Sequence, residues 1–367
     1  HILHISTPKT WRGGEQQLAY LLQELPQYGV KNMVLTHQNS VLTHYCKKNQ
    51  ITHNALAASF PVKLLNPFLL KKLCKKNHID LIHVHDAHAH TLAIYAATIA
   101  GNKAPIVVSR RVDFPIKDHW LSRYKYNHPL IKKILCVSNE IKRITIPGIK
   151  EPDKLEVVYS GVDTNHFADQ TKGQILRSTF QIGEEYWLIG NTSVIAEHKD
   201  YFTFVDVAGE VIRQGIKAKF IIIGSGPKEE AVKSYIKSKG LENEVLFTGF
   251  RDDAKHLLLE LDILLMTSKT EGLGTSILDA MAAHIPVIAT QAGGIPEMIH
   301  HEATGLLAPV GASQTLAECI KRLIADRDLS QHLVRNGHQL LLRKFSKEQM
   351  AKATYDQYQS VLHKPAS

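Results

Sequence analysis

Residues 262–290 read DILLMTSKTEGLGTSILDAMAAHIPVIAT. Asp262–Ser268 is an apolar run of strand length, Thr275–His284 carries apolar residues at helical spacing, and Pro286–Thr290 is a second short apolar run. Strand, loop, helix, strand in that order is a βαβ unit, which builds a parallel sheet. In the loop, Glu271 is followed by Gly272 and Gly274, which let backbone approach a ligand closely. The free amides that open the next helix favour an anion, so the spacing predicts a diphosphate site. Asp279, eight residues after Glu271, is placed to accept hydrogen bonds from a pair of hydroxyls such as those of a ribose, and Glu271 to hold sugar hydroxyls.

The same alternation extends to both sides. YWLIGNTS (186–193), AKFIIIGSG (218–226), EVLFTG (244–249) and TGLLAP (304–309) read as strands; 200–215, 228–240 and 254–261 read as helices, followed by a short helix at 294–299 and two terminal helices. Upstream, HILHIS (1–6), KNMVLTH (31–37), LIHVH (81–85), PIVVS (105–109) and KKILCVS (132–138) read as strands, and 15–25, 69–77 and 91–101 as helices. Gly161, Asp163 and Asn165 supply turn chemistry between the two series. Two Rossmann-like α/β domains are expected, 1–165 and 166–345, with 346–367 as a last helix, around Lys347–Leu362.

The 367 residues exceed what one core organises, and the composition is that of an ordinary globular protein. No apolar stretch is long enough to span a bilayer, and HILHISTPKTWRGGEQQ lacks the pattern of a signal peptide, so a cytoplasmic location is expected. Cys46, Cys74, Cys136 and Cys319 are far apart, which suggests neither disulfides nor zinc. Residues 1–165 hold 22 Lys and Arg against 11 Asp and Glu, whereas 166–367 hold 22 against 24. The basic half points to an acidic partner: an anionic membrane surface, met peripherally on its inner face, or an acidic acceptor. Charge alone suggests nucleic acid, and no recognition motif supports it.

Several short pieces carry a resemblance: Trp11-Arg12-Gly13-Gly14-Glu15, His83-Val84-His85-Asp86, Val137-Ser138, Ser160-Gly161-Val162-Asp163, Gly224-Ser225-Gly226-Pro227, Phe247-Thr248-Gly249-Phe250 and Gly293-Gly294-Ile295-Pro296-Glu297. In this order, and with Glu271 and Asp279 in place, the chain resembles the retaining glycosyltransferases of family 4. These have the GT-B fold, two Rossmann-like domains whose parallel sheets face a central cleft, and the resemblance implies that the last helix crosses back to the first domain. The resemblance implies a nucleotide diphosphate sugar as donor, a glycan or lipid-linked acceptor, and no metal or other cofactor. It implies that Glu271 binds donor sugar hydroxyls, that Gly272, Leu273, Gly274 and Thr275 give backbone contacts to sugar and diphosphate, and that Asp279 holds the ribose. Lys199 matches the lysine that neutralises the diphosphate as the glycosidic bond breaks. Gly224 falls beside the nucleotide, Arg251 near its base, and Gly13 and Gly14 where a bare loop meets diphosphate or acceptor.

The chain departs from the family at Asp279, commonly Glu, and at Val194, commonly Arg; Arg12, Arg111 and Arg251 are the candidates to replace that lost cation. The acceptor is expected at His85, Asp86, Arg110 and Arg111, in a basic, aromatic segment; the family often has histidine where Arg111 falls. His83, His85, Asp86, His88 and His90 invite a metal, but their run off the end of a strand suits lining a cleft better than closing a tetrahedral shell. A sugar-nucleotide epimerase, a phosphorylase and a catalytically degenerate binding subunit are the alternatives.

Overall fold

The computed structural model describes residues 1–56, 66–167 and 170–363. Two compact units emerge: His1–Gly161 together with Lys347–Ser367, and Val162–Ser346.

In the first unit the strands are β1 (Ile2–Ser6), β2 (Asn32–His37), β3 (His53–Leu56), β4 (Leu81–Val84), β5 (Ile106–Arg110), β6 (Ile131–Cys136) and β7 (Leu155–Val157). They pair in parallel in the order β3-β2-β1-β4-β5-β6-β7. The order reverses between β1 and β4, and the carboxyl ends of strands at such a switch are where open α/β sheets bind ligands. β1 is buried at every position and β4 likewise, because helices cover both faces of a parallel sheet. Tyr20, Leu21 and Leu25 pack with Met350, Ala351 and Tyr358 of the Lys347–Leu362 helix, Tyr28 stacks on Tyr355 at 4.8 Å, and Lys347 pairs with Glu24 at 3.3 Å.

The second unit holds β8 (Trp187–Thr192), β9 (Ala218–Ile223), β10 (Val245–Gly249), β11 (Ile263–Met266), β12 (Val287–Thr290) and β13 (Leu306–Ala308), again parallel, in the order β10-β9-β8-β11-β12-β13. Phe204, Val207 and Val211 meet Phe220, Ile222, Leu316 and Ile320 in its core.

The structure differs from the sequence reading in detail. β3 and β7 are added, as is the Val41–Lys48 helix, whose cap is Ser40. Three helices end the chain rather than two, because the Asp326 side chain accepts from the Leu329 amide and starts a new helix after Ser313–Ala325. The helix after Gly274 stops at Ala282 rather than His284, which turns left-handed at φ 56. In the stretch 64–78, Leu64 and Leu65 lie outside the described residues. The Asn66–Lys76 helix that follows buries Leu70, Leu73 and Cys74 and turns its lysines to solvent. All four cysteines are buried free thiols.

Candidate active site

In the second unit, β11 delivers the chain to Thr267 and Ser268, both fully buried. The Ser268 hydroxyl donates to Glu271 Oε1 at 2.9 Å, and Lys199 forms an ion pair with the same carboxylate. Lys199 ends a 3-10 turn (Glu197–Lys199), and Thr267 Oγ1 anchors that turn by donating to the carbonyls of Lys199 and Asp200 at 3.2 and 3.0 Å. Both partners of the pair are mostly buried, at 12% and 8% side-chain exposure. The Glu271 backbone is fixed from the other side, where the Gly294 amide donates to its carbonyl at 2.9 Å. A Cβ on Gly293, φ +51, would lie 2.1 Å from the Glu271 carbonyl oxygen, so only glycine fits there. Gly274, at φ 88, turns the chain into the Thr275–Ala282 helix, which leaves the first amides of that helix without helical partners. Leu273 points its side chain inward, at 3% exposure.

One turn on, Asp279 accepts from Lys255 Nζ at 2.8 Å. Burial raises the Asp279 carboxyl above the usual range, and the Lys255 charge pulls it back. Lys255 opens a separate helix, Ala254–Leu258, and nothing in its spacing from Asp279 announces the pair. Gly224, at the end of β9, donates its amide to the Gly249 carbonyl at 3.1 Å. Arg251 makes two hydrogen bonds to Asp253, at 2.7 and 2.6 Å, which occupies the guanidinium that was a candidate to replace the lost cation. Val194 itself is 48% exposed.

In the first unit, Gly13 and Gly14 open the Gly13–Glu24 helix directly after β1, with no atom within 4 Å of where a Cβ would stand. Asp86 caps the Ala87–Thr98 helix and is fully engaged: it accepts from the amide and hydroxyl of Thr7, both at 2.7 Å, and from the amides of His88 and Ala89. Arg110 is engaged as well, with Thr145 at 2.7 Å, Tyr126 at 2.9 Å and the Phe114 carbonyl. Both were expected at the acceptor. Their hydrogen bonds instead hold β1 to the β4 loop and β5 to its neighbours. Arg111 and His85 differ: Arg111 Nε and Nη1 and His85 Nδ1 are buried with no hydrogen-bond partner.

His4, His83 and His85 bring ring nitrogens within 4.8 Å of one another. His83 contacts the Tyr358 hydroxyl at 2.6 Å and Ser109 Oγ at 2.8 Å, while His4 Nε2 lies 3.1 Å from Asn32 Oδ1 and His4 Nδ1 lies 3.1 Å from His85 Nε2. Burial lowers all three, His4 to about 4, so the rings are neutral near pH 7. Facing a carbonyl oxygen, His4 Nε2 donates; His4 Nδ1 therefore accepts from His85 Nε2, and His85 Nδ1 carries a bare lone pair. A metal ion would have to break these bonds and tolerate the Arg111 charge, which already disfavours positive charge at His83 and His85.

Two parallel Rossmann-like sheets, one with an acid-lysine pair before a glycine-led helix, define a protein built to handle a nucleotide-linked substrate. The family model described as Glycosyl transferases group 1 matches residues 174–340, and that described as Glycosyltransferase Family 4 matches residues 11–166. The chain belongs to the group 1 glycosyltransferases of family 4 type, with the GT-B fold. It is similar to the N-acetyl-alpha-D-glucosaminyl L-malate synthase of Bacillus anthracis, 25% identical over 299 residues, 80% of this chain and 77% of the relative. The UDP-Gal:alpha-D-GlcNAc-diphosphoundecaprenol alpha-1,3-galactosyltransferase of Escherichia coli is 24% identical over 276 residues, covering 71% and 70%. Among solved structures, a glycosyltransferase from Rickettsia africae superposes with a TM-score of 0.85 over 99% of both chains at 22% identity. HepE of Anabaena, solved with UDP and glucose, gives 0.83 over 98% of this chain and 99% of its own at 21% identity.

Proposed function

We propose that this glycosyltransferase moves a hexosyl group from a nucleoside diphosphate sugar to a hydroxyl of a glycan or lipid-linked acceptor, with retention of anomeric configuration, in the building of a surface polysaccharide or glycoconjugate. The observation that carries the reading is the Lys199–Glu271 pair, set between β11 and the helix N-terminus at Gly274. Glu271 takes donor sugar hydroxyls, the backbone of Gly272, Leu273, Gly274 and Thr275 takes sugar and diphosphate, and Asp279, steadied by Lys255, takes the ribose hydroxyls. Gly224 and Arg251 flank the nucleotide, and Gly13 and Gly14 leave open backbone for the diphosphate.

The sugar's C1–O bond to the diphosphate breaks as C1 bonds to the acceptor oxygen on the same face, and the acceptor proton passes to the leaving phosphate oxygen. Lys199 and the helix amides stabilise the charge that grows on that oxygen, so the step requires no metal or other cofactor. His85, with its lone pair on Nδ1, accepts from a second hydroxyl of the acceptor, and Arg111 stands beside it.

The name of one relative supports an acceptor of this class, a diphosphoundecaprenol-linked sugar. No helix among the described residues is long and apolar enough to cross a membrane. We infer a cytoplasmic enzyme attached peripherally to an anionic membrane face, where exposed Phe114, Trp120, Leu121 and Tyr124, near Lys117 and Arg123, would make the contact.

Melting curves with UDP-, GDP- and ADP-sugars test the donor. The true donor at 100 times its Kd stabilises the protein by about 2.7 kcal/mol. Glu271→Ala and Lys199→Ala should abolish that gain, and no stabilisation by any of them would defeat the reading.

A further inference from the structure

Arg110 and Arg111 are consecutive residues of like chemistry with opposite fates. Arg110 spends its guanidinium on Thr145, Tyr126 and the Phe114 carbonyl. Arg111, one step beyond β5, keeps Nε and Nη1 buried with no partner. The carboxylate that acts most on it is Glu15, whose two oxygens are already taken by the Ser6 hydroxyl and the Arg12 amide. Burial holds the Arg111 guanidinium at about 10, below its ordinary value, yet still charged near neutrality. A desolvated cation whose nearest carboxylate makes no hydrogen bond to it is costly, and folded proteins retain such a group where something else supplies a bonded anion.

The surroundings fit that supply. A cavity of about 10 Å³, room for one oxygen-sized atom, is lined by Arg111 together with Ser109, Tyr159 and Ser160. Arg111 as a whole is not sealed off, since part of the residue reaches the surface.

We propose that Arg111 is an anion subsite: one oxygen of a carboxylate or phosphate seats against its Nε and Nη1, so one substrate of the transfer carries a negative group beyond the donor diphosphate. The bearer is the acceptor or the transferred sugar, and its identity, though not the subsite itself, rests on the transferase reading above.

The test is calorimetric titration of the full-length protein with inorganic phosphate, repeated on Arg111→Met, Arg111→Lys and Lys199→Ala. Arg111→Met should weaken phosphate binding at least tenfold, since charge-assisted hydrogen bonds are lost. Arg111→Lys should weaken it less, and Lys199→Ala should leave a phosphate site in place. Arg111→Met should also melt no lower than the parent, because it removes an unpaired buried charge; a purely structural arginine would do the reverse. Tighter binding of UDP-glucuronic acid than of UDP-glucose, with the gap erased by Arg111→Met, assigns the anionic group to the transferred sugar. Equal affinity for the two, beside phosphate binding that depends on Arg111 and a UDP affinity that Arg111→Met leaves unchanged, assigns it to the acceptor, whereas a UDP affinity that falls with Arg111→Met puts the donor diphosphate there and overturns the proposal. Phosphate binding that survives Arg111→Met and vanishes in Lys199→Ala overturns the subsite, as does an Arg111→Met protein that melts well below the parent. Phosphate binding that depends on Arg111 in a protein that takes no nucleotide sugar upholds the subsite and defeats the donor reading.

Discussion

His83 Nδ1 lies 2.6 Å from the Tyr358 hydroxyl, a contact that spans 275 positions of chain. The rings meet edge to face at 5.6 Å, and Ser109 holds the other His83 nitrogen at 2.8 Å. This triple ties β4 and β5 to the Lys347–Leu362 helix. Tyr358→Phe should cost about 1 kcal/mol, one hydrogen bond, and Tyr358→Ala about 3–5 kcal/mol, a large buried side chain. Urea unfolding measures both; two values near zero would mean that the helix contributes nothing to the first unit.

Breaking the Lys199–Glu271 pair from one side leaves a charge stranded in a mostly buried place. Lys199→Met should therefore lower stability by about 3–5 kcal/mol, whereas Lys199→Met with Glu271→Leu should recover most of the loss. Turnover should fall by about 10²–10³ in Lys199→Met, on the scale of losing one transition-state donor. Stability equal to the parent in the single variant would show that the pair is solvated in solution.

Lys255→Met removes the cation that offsets burial at Asp279, whose carboxyl already titrates above the usual range. A folded-state pKa raised above the unfolded value, about 3.9, means that the folded protein pays for the ionised form. The deficit of the variant should be fully present above the folded pKa, at about 3–5 kcal/mol, and should close as pH falls toward the unfolded value. Denaturation at a series of pH values checks the sign; a deficit that does not vary with pH would rule out this account.

Burial depresses His4 to about 4 and His90 to about 3. The unfolded chain takes up these protons first, near pH 6.5, so the stability from keeping both rings neutral is intact above that pH. It is lost as pH falls from about 6.5 toward 4 and 3, by about 3–5 kcal/mol for each ring. His90→Gln keeps a donor for the Lys125 carbonyl, which His90 Nε2 meets at 3.2 Å, and should flatten the acid limb. An unchanged limb would show that His90 protonates without cost.

Gly293→Ala should strain the Glu271 loop, because the new methyl group has no room beside the Glu271 carbonyl. A loss of about 1–3 kcal/mol in stability is expected, with donor binding weakened more than the melting point implies. Equal donor affinity in the variant would separate Gly293 from the site.

The sheets were legible because their central strands are apolar on both faces: Ile2–Ser6 and Ile263–Met266 are buried throughout. His53–Leu56 escaped notice because His53, Asn54 and Ala55 are polar or small and only Leu56 is buried, as suits a sheet edge. Leu155–Val157 is too short to show a period. Within the candidate site, Glu271, Gly274 and Asp279 could be singled out because they lie at fixed spacing along one loop and helix. Lys255, Asn32 and Tyr358 could not, since each reaches its partner through the fold. Nor does adjacency in sequence distinguish Arg110 from Arg111; only the neighbours around each decide which one finds hydrogen bonds.

The Lys347–Leu362 helix packs on the unit that contains residue 1, while the chain between them builds the other unit. A ribosome therefore delivers the last piece of the first unit only after the whole of the second. During translation Val162–Ser346 can close its own core, whereas Tyr20, Leu21 and Leu25 wait uncovered for Met350, Ala351 and Tyr358. Until residues 347–362 emerge, the nascent chain carries that apolar stripe uncovered. A message truncated after Ser346 would yield a chain whose second unit is finished and whose first is not.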